Sequence, residues 1–296
     1  MLFAGFMLLS FNTVGQTQDK MSPLNVAVSI KPLHSLIAGI MNGSGNQPSL
    51  IISGAASPHD YSLKPSDARK IADAQLVFWT GPSLERFLEK PLNSLAGKAR
   101  IVPFVIGEED ADTQDHQHGH NHHGPDPHIW LSPLQAQTIV TTAARHLAQA
   151  DPGNAVLYNA NAEALIERLK VFQGEATALL APVTSVPFLV FHDAYDHLAS
   201  AFGLKIAGVV TMGSERAPGA GRISDLRKLM ASHKATCLFG EPQVDTNRLN
   251  MIVENIAGAR TGILDPLGSY LPTGKDMYFT LMRGNVNALA KCLSAD

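Results

Sequence analysis

Short apolar runs rich in β-branched and aromatic side chains recur at 25–29, 50–53, 76–79 and 101–105, and again at 188–191, 206–211, 237–240 and 261–264. Between them lie stretches whose apolar residues return every three or four positions. Strands that alternate with helical patterns predict an α/β fold with mainly parallel sheets, because parallel neighbours need a crossover helix. The runs fall into two groups of four, so two lobes are expected, each a four-stranded sheet flanked by helices.

Between the groups, Asp151-Pro152 reads as a helix cap followed by the residue favoured at the first helical position, and the next Pro is Pro182. Tyr158, Ala162, Leu165, Leu169, Phe172, Ala176 and Leu179 keep one apolar face through 151–182, a length of roughly 45 Å at the α-helical rise. One long, rigid helix is therefore expected to join an N-terminal lobe (21–150) to a C-terminal lobe (183–296) and to permit only a small hinge motion.

Two segments depart from this alternation. The apolar start of the chain, through Phe11, is too short to span a membrane and fits the hydrophobic part of a secretion signal covering about 1–20, although no basic residue precedes it. The stretch 107–126 runs from Glu108, Glu109, Asp110, Asp112 and Asp115 into His116, His118, His120, His122 and His123 with almost no apolar residue. Such a segment cannot bury enough surface to hold a fold, so a mobile loop is expected there.

Composition narrows the partners. The chain has 296 residues, 45% hydrophobic and 17% charged, which suffices for a sizeable core. Its formal charge of −3, without a Lys/Arg run, argues against nucleic acid and against a membrane surface. The two cysteines are Cys237 and Cys292. Neither lies near the start to carry a lipid anchor, so the exported protein should be soluble. In an oxidising compartment the pair can close a disulfide; two buried thiols are the alternative.

The remaining candidates for chemistry are histidines. His59 in "GAASPHDYSLKPSD", His128 in "PDPHIWLSP" and His192 in "VFHDAYDH" each stand where a regular element begins or ends, the places from which distant segments converge on a cleft. Neutral imidazoles suit zinc, commonly three with one further ligand, and Asp265 of "LDPLGSY" is the oxygen candidate. Each of these residues could instead cap a turn. His197 is expected on a helix pointing away, and His34, His146 and His233 as surface or packing residues. The loop histidines His116 to His123 read as a weak auxiliary metal site, tethered near the cleft to help capture or release.

With these motifs in view, the chain resembles the zinc-binding proteins of bacterial ABC importers, the ZnuA-type branch of the cluster A-I metal-binding family. "ASPHDYSLKPSD", "GPSLERFLEKP", the acidic His-rich loop, "HIWLSP", "FHDAY", "PGAGRISDLR", "KATCLFGEPQ" and "LDPLG" follow in order over nearly the whole chain. The resemblance implies zinc in an interlobe cleft on His59, His128 and His192, and a Cys237–Cys292 disulfide. It also implies a periplasmic location, and delivery to a membrane permease driven by a cytoplasmic ATPase. A monomer is expected. Some relatives carry Glu directly before the first ligand; here that residue is Pro58, which leaves the fourth position to Asp265 or water. Asp193 and Glu241 are candidates for orienting imidazoles.

Three rival readings stand beside this one. A secreted zinc hydrolase would keep an open metal position to activate water, yet there is no H-E-x-x-H and no Glu placed as an obvious base. A manganese importer's binding protein would differ in ion preference. A metal buffer or adhesin without a transporter is the third.

Overall fold

The computed structural model describes residues 23–54, 56–105, 126–211 and 219–294. The expected signal and the histidines from His116 to His123 lie outside the described residues. Among those described, eight strands form two four-stranded sheets, and every pairing is parallel. The first contains β1 (Val26–Val28), β2 (Ser49–Leu50), β3 (Leu76–Trp79) and β4 (Arg100–Pro103) in the order β2-β1-β3-β4. The second contains β5 (Pro187–His192), β6 (Lys205–Thr211), β7 (Cys237–Gly240) and β8 (Arg260–Ile263) in the order β6-β5-β7-β8. The two lobes thus repeat one topology.

Helices α1 (Lys31–Ile40), α2 (Pro65–Ala72) and α3 (Glu89–Leu95) cross over in the first lobe, followed by α4 (Pro133–Ala150). Helix α5 (Ala155–Leu180) connects the lobes, and α6 (Asp196–Phe202), α7 (Ala220–His233), α8 (Thr246–Val253) and α9 (Met277–Leu293) complete the second. The central strands β1, β3 and β7 are buried at every position. Both faces of a parallel sheet are covered, which is why these strands read as continuous apolar runs.

The connecting helix is shorter than its sequence pattern, about 39 Å, with a tight turn at Pro152–Asn154 before it and another at Ala181–Val183 after it. Asp151 does not cap it. Its carboxylate instead accepts from the Tyr158 hydroxyl (2.7 Å), Asn154 Nδ2 (2.8 Å) and Asn46 Nδ2 (3.2 Å), a knot that ties the start of the helix to the first lobe. The buried face runs Tyr158, Ala162, Leu165, Leu169, Phe172, Ala176 and then Leu180; Leu179 is 46% exposed. The last contact follows the i+4 step from Ala176 and corrects the expected Leu179.

This face packs against α1 and α4 on one side and α9 on the other, so one apolar core runs from Leu24 to Leu293 through both lobes. A second core fills the far side of the second sheet. Along β5, Phe188 and Val190 enter the shared core while Leu189 and Phe191 enter the second, the period of two that a strand imposes. Cys237 and Cys292 form a disulfide that fastens the start of β7 to the end of α9, with Cα atoms 6.2 Å apart.

The lobes are also joined by polar contacts. The Lys31 ammonium at the start of α1 donates to the carbonyls of Gly268 (3.0 Å), Ser269 (2.8 Å) and Leu271 (3.2 Å). Ser35 Oγ donates to the Gly274 carbonyl, and Trp130 Nε1 to the Pro266 carbonyl, each at 2.7 Å. All of these acceptors belong to the stretch after β8.

Candidate metal centre

In open parallel sheets, ligands gather beyond the carboxyl ends of the strands, where a change of direction in strand order opens a crevice. His192 is the last residue of β5 and Glu241 follows the last residue of β7, so both stand at such a point between neighbouring strands. His59 lies in the β2–α2 connection, and His128 in the connection from β4 to α4. All three histidines therefore come from the same ends of the two sheets.

Local chemistry holds each one. Two residues after His59, the Tyr61 hydroxyl donates to Asp67 Oδ2 (2.7 Å), and the same oxygen accepts from the Lys64 backbone N–H (3.3 Å) at the start of α2. Ser132-Pro133 starts α4, with Ser132 Oγ accepting from the Gln135 N–H at 3.4 Å, which fixes where the preceding His128 stands. The buried His128 ring also meets Trp130 edge-on at 5.3 Å.

The rings of His59, His128 and His192 form a triangle with centroids 5.6, 5.3 and 5.3 Å apart. One nitrogen from each lies within 4.8 Å of the others. A tetrahedral zinc ion would draw such nitrogens to about 3.4 Å from one another, so a small inward movement of the rings would suffice. His128 Nδ1 is 2.8 Å from Asp126 Oδ1, and His192 Nδ1 is 3.0 Å from Glu241 Oε1. Carboxylate partners make each Nδ1 a donor and leave Nε2 as the bare lone pair. His59 Nε2 is buried and has no hydrogen-bond partner. An unpaired buried nitrogen beside two lone-pair donors fits a cation.

Electrostatics act on the three imidazoles in different senses. Burial, reinforced by the neighbouring imidazoles of His128 and His192, pushes the His59 pKa down to about 3. Burial also lowers that of His128, against the opposing pull of Asp126. At His192 burial acts in the same direction, but the Glu241 carboxylate outweighs it and the pKa is raised. Asp193 contributes to that rise through its charge.

Other expected residues are placed differently. Asp265 is outside the three-histidine group, and its carboxylate is engaged: Oδ1 accepts from the N–H of Leu267 (3.0 Å) and Gly268 (2.8 Å), and Oδ2 from that of Ser269 (2.8 Å). It shapes a loop whose Gly268 has φ of 71°, a left-handed conformation that glycine adopts freely. Pro58 is buried and lines the cleft without offering a donor. His34 Nε2 donates to the Pro48 carbonyl (3.0 Å), and the buried His146 ring faces Phe78 edge-on at 6.4 Å. His233 closes α7.

Two contributions escaped sequence reasoning. Asp126 holds His128 through both its ring and its backbone N–H, and the short "DPH" spacing is the one sequence signal from which it was readable. His197 lies on α6, as expected of a helix, but its Nε2 donates to the Asp126 carbonyl at 3.0 Å and so steadies the residue that orients His128. Glu241 also accepts from the Tyr195 hydroxyl (3.3 Å) and Gln243 Nε2 (2.9 Å). Beyond the imidazoles the cleft opens into a cavity of about 300 Å³ that reaches Gln243 and Arg248.

The family described as zinc-uptake complex component A, periplasmic, matches residues 26–292. The high-affinity zinc uptake system protein ZnuA of Brucella suis biovar 1 (strain 1330) is 41% identical over 307 residues, covering 91% of each chain. A crystal structure of ZnuA superposes with a TM-score of 0.77 at 26% identity, covering 92% of this chain and all of the other. A zinc-bound ZnuA deletion mutant gives a TM-score of 0.77 at 25% identity, with 93% and 100% covered.

Proposed function

Since the chain belongs to the periplasmic zinc-uptake component A family, we propose that it captures zinc on His59, His128 and His192 and surrenders it to an importer. The observation that carries this reading is the buried, unpaired Nε2 of His59 beside two imidazoles whose Nδ1 atoms are turned away by carboxylates. Three neutral nitrogens without a coordinating carboxylate favour zinc over manganese or magnesium. With Asp265 engaged by its own loop, the fourth position is left to an exchangeable ligand such as water, which gives a route for exchange. Zinc is cargo here and not a catalytic ion, so no enzymatic role is assigned. The partners are a membrane permease and its cytoplasmic ATPase, met by a monomer in the periplasm after export on residues 1–20. His116, His118, His120, His122 and His123 act as a weak, exchanging reservoir.

The test removes that reservoir first. A chain lacking 107–125 should hold one zinc per molecule by elemental analysis after dialysis. Replacing any one of the three histidines by Ala should weaken binding by more than the roughly 10–100-fold lost with an outer partner. Asp265→Asn should keep one tight zinc. Retention of tight zinc by the variant lacking all three histidines would overturn the assignment.

A further inference from the structure

The cavity beside the imidazoles is larger than an ion requires. One water occupies about 30 Å³, whereas this space is about 300 Å³, the lower end of the range for small-molecule sites. Arg248 of α8 lines it, half-buried, and no hydrogen bond or ion pair engages its guanidinium among the described residues. The nearby carboxylates are committed elsewhere or exposed. Glu241 is used by His192, Tyr195 and Gln243, and Asp245 accepts from the Asn247 N–H at the start of α8. Asp60 also lines the cavity and is exposed.

A guanidinium facing a divalent-cation cleft opposes the bare ion, and it favours an ion that arrives with an anion attached. Zinc carries two positive charges into a site that already holds two carboxylates, Asp126 and Glu241. The other carboxylates that line the cavity, Asp60 and Asp245, are exposed to water, so Arg248 is the one fixed positive charge among its described lining residues and the partner a carboxylate would meet. The three histidines leave one position on a four-coordinate zinc. We propose that the cleft binds zinc together with a small chelating carboxylate of amino-acid size, one donor atom completing the metal's coordination and the carboxylate resting on Arg248. This rests on the three-histidine reading and names the form in which the cargo is held. Planar, bidentate recognition of a carboxylate is the use to which Arg is best suited.

L-histidine serves as probe, and histamine, which lacks the carboxylate, as its control. Calorimetry of L-histidine into zinc-loaded protein should show one site per chain, and native mass spectrometry should show protein, zinc and amino acid together. Zinc-free protein should bind it at least 10-fold more weakly, as should loaded Arg248→Met protein; Arg248→Lys should fall between. Histamine should bind the loaded protein at least 10-fold more weakly than L-histidine. Loaded wild type that takes up no L-histidine, that loses its zinc to it, or that binds L-histidine no better than the Met variant does would overturn the proposal. Zinc content of each variant, measured first, separates this failure from failure of the zinc site itself.

Discussion

At the scale of single residues, the site works by giving each buried nitrogen a defined task. Two imidazoles have carboxylates behind them and one does not, so they titrate differently. The raised pKa of His192 makes it the first of the three imidazoles to take up a proton as pH falls, whereas His59, near 3, resists protonation. Zinc affinity should therefore begin to drop from near neutrality. Glu241→Gln removes the main force opposing burial at His192 and leaves only the charges of Asp193 and Asp126, which lowers its pKa; the onset of the loss should move to more acidic pH. The same change removes a charge that strengthens the ligand, so affinity above neutrality should fall roughly 10–100-fold. Competition titrations from pH 8 to 5 check both, and an unaltered profile would refute the role given to Glu241.

A buried carboxyl elsewhere in the first lobe carries a pH dependence of its own. Glu85 accepts from the Thr80 N–H (2.7 Å) and the Gly81 N–H (3.4 Å), and burial raises its pKa to about 7. Folded protein keeps that proton at pH values where the unfolded chain has lost it. Its contribution to stability is therefore complete below about 4.5 and disappears as pH rises through about 7, a change of about 3 kcal/mol. Glu85→Gln should abolish this component, seen as a flatter difference in unfolding free energy between pH 4.5 and 8.

At the scale of elements, periodicity located the connecting helix and all but one of its buried residues. The exception shows how helical phase is decided. Leu179 and Leu180 are equally apolar, and the three-or-four spacing admits both after Ala176; contact with the shared core selects Leu180. Leu180→Ala should cost about 2–5 kcal/mol, and Leu179→Ala no more than about 0.5 kcal/mol, by urea unfolding. The strands were legible because a strand covered on both faces has no polar alternation to obscure it. Asp151 was misread as a cap because the same residue type serves caps and buried knots. Only its neighbours distinguish the two: Tyr158, seven residues on, and Asn46, 105 residues away.

At the scale of the whole molecule, the site sits where two sheets of one topology present their strand ends to each other, across a core that continues through both lobes. Lys31, Ser35 and Trp130 add polar ties from the first lobe to the stretch after β8. A continuous core resists wide opening, since separation would expose apolar surface along the length of α5. The disulfide lies at the opposite end of β7 from Glu241, four residues and roughly 13 Å away. It closes a loop spanning 55 residues and should contribute about 4 kcal/mol. Replacing both cysteines by Ala should lower the thermal midpoint while leaving zinc affinity unchanged, and a large loss of affinity would show that the bridge reaches the site.

Read alone, the chain determined its strands, its connecting helix and its three candidate imidazoles, because local periodicity and turn chemistry are written in neighbouring residues. Its motifs were specific enough to indicate a family. Tertiary structure alone decided that His59, His128 and His192 meet, that Asp126 and Glu241 stand behind two of them, and that Asp265 turns to its own loop. The meeting of the three histidines, and of His192 with Glu241, depends on distances between segments tens of residues apart, which packing of the complete core sets; Asp126 and Asp265 act within a few residues, where sequence offers several partners and the folded loop selects one.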